Sequence, residues 1–88
     1  MRRAGIVIGL ATLIVMNEAS AREFGGYYCP DDCSGHAAGY RWAKAHGITD
    51  ESSCPLRGVA FSFYEGCWVY VEDPYRGADE DDQGNDID

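Results

Sequence analysis

From Ser34 to His46, small and apolar residues recur at helical spacing. On a 100° wheel Gly39, Trp42, Ala43 and His46 share one face, Arg41 and Lys44 point the other way, and His36 and Tyr40 lie at the margin. Asp32 or Ser34 can cap this segment and Gly47 can stop it, so a helix is predicted over 34–46. Gly39 and Ala43, one turn apart, leave room for another backbone. Trp42 brings the largest apolar surface to the face. Residues 47–61 read as a loop, punctuated by Gly47, Thr49-Asp50, Ser52-Ser53, Pro55 and Gly58. Beyond it Ser62-Phe63-Tyr64-Glu65 has the form of a capping box, and Phe63, Gly66, Cys67 and Tyr70 then fall on one helical face. The same stretch is rich in β-formers around Glu65-Gly66, which also suits a tight hairpin. The helix is preferred because it turns Gly66 and Cys67 toward the first helix. The expected fold class is a small all-α, disulfide-stabilised helical hairpin with irregular loops. The alternative is α+β with a hairpin at residues 59–71.

The ends differ from this middle. Arg2 and Arg3 precede an apolar run from Ala4 to Met16, followed by Asn17-Glu18-Ala19-Ser20-Ala21. That order (basic, apolar, small-x-small) is the pattern of a cleaved secretory signal over 1–21, with Arg22 as the first mature residue. A bilayer span needs about 20 apolar residues, more than this run offers. At the other end, residues 72–88 carry eight carboxylates against Arg76 alone, and so hold most of the chain's net charge of −8. With little apolar beyond Tyr75 and Ile87, 72–88 is expected to be a disordered acidic tail. Asp79-Glu80-Asp81-Asp82-Gln83-Gly84 faintly echoes a calcium loop, but the bidentate acid at position twelve is missing. Residues 22–71 remain as a small disulfide-bonded domain. Fifty residues cannot enclose an ordinary enzyme cleft, and chains so short usually need covalent help to fold. Acidity without a basic cluster argues against nucleic acid, and against an anionic membrane for the mature form.

That covalent help is at hand in Cys29, Cys33, Cys54 and Cys67. An even count in a short exported chain implies a disulfide framework. A Cys29–Cys33 bridge would close a strained local turn, so each of these two is expected to reach Cys54 or Cys67, with the nested pairing slightly preferred. A metal site is the competing reading. Cys29-x3-Cys33-x12-His46 follows three ligands of a zinc finger, yet no His stands three to five residues after His46, and His36 is a full helix away. No metal and no cofactor is assigned.

Cys33-Ser34-Gly35-His36-x-Ala38-Gly39-Tyr40-x-Trp42-Ala43, then Ile48-Thr49-Asp50, Cys54 and Ser62-Phe63-x-Glu65-Gly66-Cys67-x-x-Tyr70-Val71 resemble a family of small exported bacterial proteins. Its pattern is DCSGHxAGYxWA, IT, C and SFxEGCxxYV. The resemblance implies a shared scaffold and no particular chemistry, and it favours the helical reading of 62–71.

The functional expectation is an exported small cysteine-rich binding or interaction module, periplasmic or secreted through a bacterial Sec-type signal. Its partner would be an unknown protein or small ligand. The aromatic residues Tyr27, Tyr28, Tyr40, Trp42, Phe61, Phe63, Tyr64 and Trp68 exceed what so small a core can hide, leaving some for a contact surface. One alternative is a periplasmic redox or metal-handling protein, weakened by the lack of a C-x-x-C motif. Another is a small hydrolase using Ser34 and His36 with Asp31 or Asp32, although no oxyanion hole can be argued from the chain. No catalytic residue is assigned.

Overall fold

A computed structural model describes residues 22–87; the proposed export signal lies outside them. Two antiparallel two-residue strands open the fold, β1 (Glu23–Phe24) and β2 (Tyr27–Tyr28), with Glu23 opposite Tyr28 and Phe24 opposite Tyr27. Helix α1 (Ser34–Ala45) follows, then a single 3-10 turn at Glu51–Ser53, then helix α2 (Phe61–Glu72). Residues 73–87 return to pack against β1 and its Gly25–Gly26 turn. The chain is mostly helical with a small sheet, so it is not purely all-α. The alternative hairpin at 59–71 does not form; that segment is α2.

The hairpin that does exist was not anticipated. Its signal is Gly25-Gly26, whose φ values of 59° and 89° place both residues in the left-handed region that a two-residue hairpin turn requires. The flanking pairs are too short to show an alternating pattern.

α1 runs close to its expected bounds. Cys33 is its N-cap residue, and the Asp32 carboxylate accepts the Ser34 N–H at 2.9 Å. Gly47, at φ 64°, ends it: Gly47 N–H bonds to Lys44 O, and Ile48 N–H reaches back to Ala43 O at 3.0 Å. That pair of bonds is a Schellman closure. α2 begins one residue before the presumed box, with Ala60 as N-cap residue and no side-chain cap. The capping box does not form because Ser62 lies inside the helix rather than at its N-cap, and Glu65 directs its carboxylate to His36.

The two helices cross at glycine. A Cβ on Gly39 would overlap the backbone carbonyl of Phe63, and one on Gly66 would overlap that of His36. Each helix thus presses its glycine against the other's main chain, as the spacing of Gly39, Ala43 and Gly66 led one to expect. Two core clusters result. One gathers Phe24, Cys29, Cys33, Ala37, Tyr40, Val69 and Ala78; the other gathers Ala43, Cys54 and Cys67 beneath Trp42, Ile48, Tyr64 and Trp68. Tyr40, Phe24 and His36 are the largest fully buried side chains. Trp42, expected to dominate the core, is only half-buried and stacks on the exposed His46 at 4.2 Å.

The disulfides are Cys29–Cys33 and Cys54–Cys67. This corrects the long-range pairing expected for Cys29 and Cys33. The reason lies in the local path: Pro30-Asp31-Asp32 leads directly into the N-terminus of α1, bringing the two α-carbons within 5.2 Å without any distant partner.

Residues 73–87 are the larger correction, since they are packed rather than free. The Asp82 carboxylate accepts the Gly25 and Gly26 N–H groups, one on each oxygen, both at 2.8 Å. Arg76 bonds to Asp82 at 2.8 Å and lies over the Phe24 ring at 3.7 Å. Gly77 N–H donates to the Tyr40 hydroxyl, which donates in turn to Asp73 O. Asp81 is buried, accepting Gln83 and Asn85 N–H groups at 2.9 Å each. The expectation of disorder counted apolar side chains, whereas this segment is ordered by polar contacts to main-chain donors. Among the described residues no helix is long and apolar enough to cross a membrane.

Candidate functional site

An open cleft of about 610 Å³ lies where β2, the Pro30–Asp32 loop and the N-terminal turns of α1 and α2 converge. Tyr28 and Phe61 form its rim, both well exposed at 63% and 66%. Asp31, Asp32, Ser34 and Ser62 supply polar groups along its walls, and His36 and Glu65 lie at its base. Gly35 lets the two helix starts approach there, since a Cβ would collide with the Ser62 side chain.

The base is a buried imidazole–carboxylate hydrogen bond. His36 is 1% exposed, and its Nε2 lies 2.8 Å from Glu65 Oε1. A carboxylate only accepts, so Nε2 carries the proton. The other ring nitrogen, Nδ1, faces Cys29 Sγ at 3.7 Å. Phe24 and Tyr27 close over the ring, at centroid distances of 6.0 and 6.4 Å. The helix crossing at Gly66 makes this possible, because it carries Glu65 to the first turn of α1.

On the wall, Ser34 Oγ donates to Asp32 Oδ1 at 2.6 Å. That bond, with the Ser34 N–H, outweighs burial and holds the Asp32 carboxyl below its usual value, helped by the charge of Arg22. Asp32 is thus a firmly ionised group. The Tyr27 phenol, stacked near His36, is pushed up, first by burial and then by the charges of Glu72 and Glu65.

The residues weighed for hydrolysis are neighbours here without forming a nucleophile–base pair. Ser34 is engaged by Asp32, and both nitrogens of His36 face other groups. The zinc-like trio is not a ligand set either, since Cys29 and Cys33 are joined to each other. Among the described residues no three His, Cys, Asp or Glu side chains are placed to hold a metal ion. Tyr28 and Phe61 are two of the aromatic residues expected to leave a contact surface, whereas the role of Glu65 was not legible in the sequence. Glu65 could not be found from its position, because its partner is 29 residues away and a capping role explained it locally.

No family model, curated protein or solved structure matches this chain. Its functional reading therefore rests on the geometry of the cleft and the core beneath it.

Proposed function

We propose that this chain is an exported, disulfide-framed binding module that takes a basic group, an amine or guanidinium, in the cleft between Tyr28 and Phe61. The observation that carries this reading is the cleft's mixture of exposed aromatic rings and carboxylates. Asp31, Asp32 and Glu65 line it, and among the described residues no Lys or Arg does. Aromatic faces and carboxylates together favour an organic cation, through cation–π attraction and charge-assisted hydrogen bonds. The volume is within the range of small-ligand sites. Two disulfides in so short a chain fit a periplasmic or secreted setting.

The test is an NMR titration of the mature chain with an Nα-acetyl-lysine amide and with its Nε-acetylated counterpart. The charged form should shift the Tyr28, Phe61 and Glu65 signals, and Asp32→Asn should weaken its binding several-fold. Equal shifts from both forms, or none from either, would refute the reading.

A further inference from the structure

The two disulfides sit in different chemical surroundings. Cys54–Cys67 is packed among Ala43, Trp42, Tyr64, Trp68 and Val71. Cys29–Cys33 has an imidazole against one sulfur and a helix N-terminus at the other: His36 Nδ1 is 3.7 Å from Cys29 Sγ, and Cys33 is the N-cap residue of α1. With the proton held on Nε2 by Glu65, Nδ1 presents its lone pair to sulfur. A disulfide sulfur has no proton to give. In the oxidised protein the neighbour of this buried nitrogen at 3.7 Å is a sulfur without a proton, and reduction would give that sulfur a proton to share with it.

We propose that Cys29–Cys33 is a thiol–disulfide exchange site, in which His36 accepts a proton from the reduced pair, Glu65 is its positioning residue, and a dithiol is the co-reactant. One thiol of the co-reactant attacks Cys33 Sγ. The S–S bond breaks, its electron pair stays on Cys29 as thiolate, and the attacking thiol's proton ends on His36 Nδ1. The second thiol then attacks the mixed disulfide and releases Cys33, which takes up that thiol's proton. The co-reactant leaves as a disulfide, oxidised by two electrons, and the cysteine pair is reduced by two. The imidazolium steadies the Cys29 thiolate, and the first turn of α1 steadies Cys33 as it departs. Both sulfurs are buried, at 2% and 1% exposure, so attack requires the Pro30–Asp32 loop to lift. Those three residues are exposed and all of them line the cleft.

The exchange site shares His36, Glu65 and the Pro30–Asp32 loop with the cleft, but its test reads the cysteines alone and needs no cleft ligand. The oxidised mature chain is equilibrated in a series of glutathione buffers, quenched by alkylation, and each cysteine pair is followed by peptide mass mapping. Cys29–Cys33 should open at roughly tenfold milder reducing conditions than Cys54–Cys67, with helical circular dichroism retained. Glu65→Gln should make Cys29–Cys33 harder to reduce and leave the Cys54–Cys67 midpoint in place. Should that variant not fold, the reduced wild-type chain provides the readout, through ultraviolet thiolate absorbance at neutral pH. Simultaneous opening of both pairs, an unmoved Cys29–Cys33 midpoint in folded Glu65→Gln, or absence of thiolate absorbance would each overturn the proposal.

Discussion

At Gly39 and Gly66 one missing methyl group sets the distance between the helices. Both positions face a carbonyl of the opposite helix, so no side-chain rotation can make room. Gly39→Ala should therefore cost at least the ~1–3 kcal/mol typical of overpacking, despite alanine's better helix propensity, as read by urea denaturation. Tyr40 shows the reverse economy, in which a polar tip on a buried ring does the joining. Its hydroxyl links α1 to Asp73 and Gly77, and Tyr40→Phe should lose about 1–2 kcal/mol with the helices intact. Trp68 carries a buried indole N–H without a partner. Trp68→Phe removes that donor, so its melting temperature should stay within a few degrees of wild type despite the smaller ring.

Among elements, the two disulfides divide the work unevenly. Cys54–Cys67 spans 13 positions and pins the loop after α1 to the middle of α2; Cys29–Cys33 spans four. The chain-entropy model assigns them about 3 and about 2 kcal/mol. Replacing Cys54 and Cys67 together by Ser should accordingly lower the denaturation midpoint more than replacing Cys29 and Cys33. The opposite order would mean that the short bridge anchors the hairpin as well as the helix start. The hairpin itself is too small to stand alone. Asp82 holds its turn, and Asp82→Asn should loosen the Gly25 and Gly26 amides in hydrogen exchange while α1 and α2 keep their protection.

For the whole molecule the acidic segment is a structural member whose contribution depends on pH. Burial opposes the charge on Asp82, but Arg76 and the Gly26 and Gly25 N–H groups prevail, and its carboxyl lies below the ordinary value. Asp81 is similar: burial is outweighed by the Asn85 and Gln83 donors, with help from Arg22. A carboxyl lowered on folding stabilises the fold above its unfolded pKa, near ~3.9, and that stability is lost as pH falls through the folded value. Glu72 works in the other direction, raised by burial and by a hydrogen bond with Glu51, so its contribution is present at low pH and fades as pH rises through its folded value. Acid titration should thus release residues 76–87 from the hairpin below about pH 4 while leaving them docked at pH 5, as read from the Gly25 and Gly26 amide signals. Removing residues 74–88 should uncover Phe24 and lower the melting temperature by more than ~4–8 °C, the shift about 1 kcal/mol makes in a domain this size. An unchanged melting temperature would mean the segment is carried passively.

The helical elements were legible in the sequence because their causes are local. Period, Gly47 as a stop and the small residues at Gly39, Ala43 and Gly66 all act within a few positions, and they led to α1, α2 and the close crossing. Disulfide formation followed from count and length. The partners were another matter. Whether Glu65 caps its own helix or bonds His36 depends on a crossing that places two turns side by side, and no spacing along the chain encodes it. The same holds for Cys29, whose bridge follows the path of three loop residues, and for the order of residues 73–87. Their carboxylates look like self-repelling charge until Gly25, Gly26 and Arg76 are brought within 3 Å of one of them. Local chemistry selects the elements, and only their packing decides which polar groups meet.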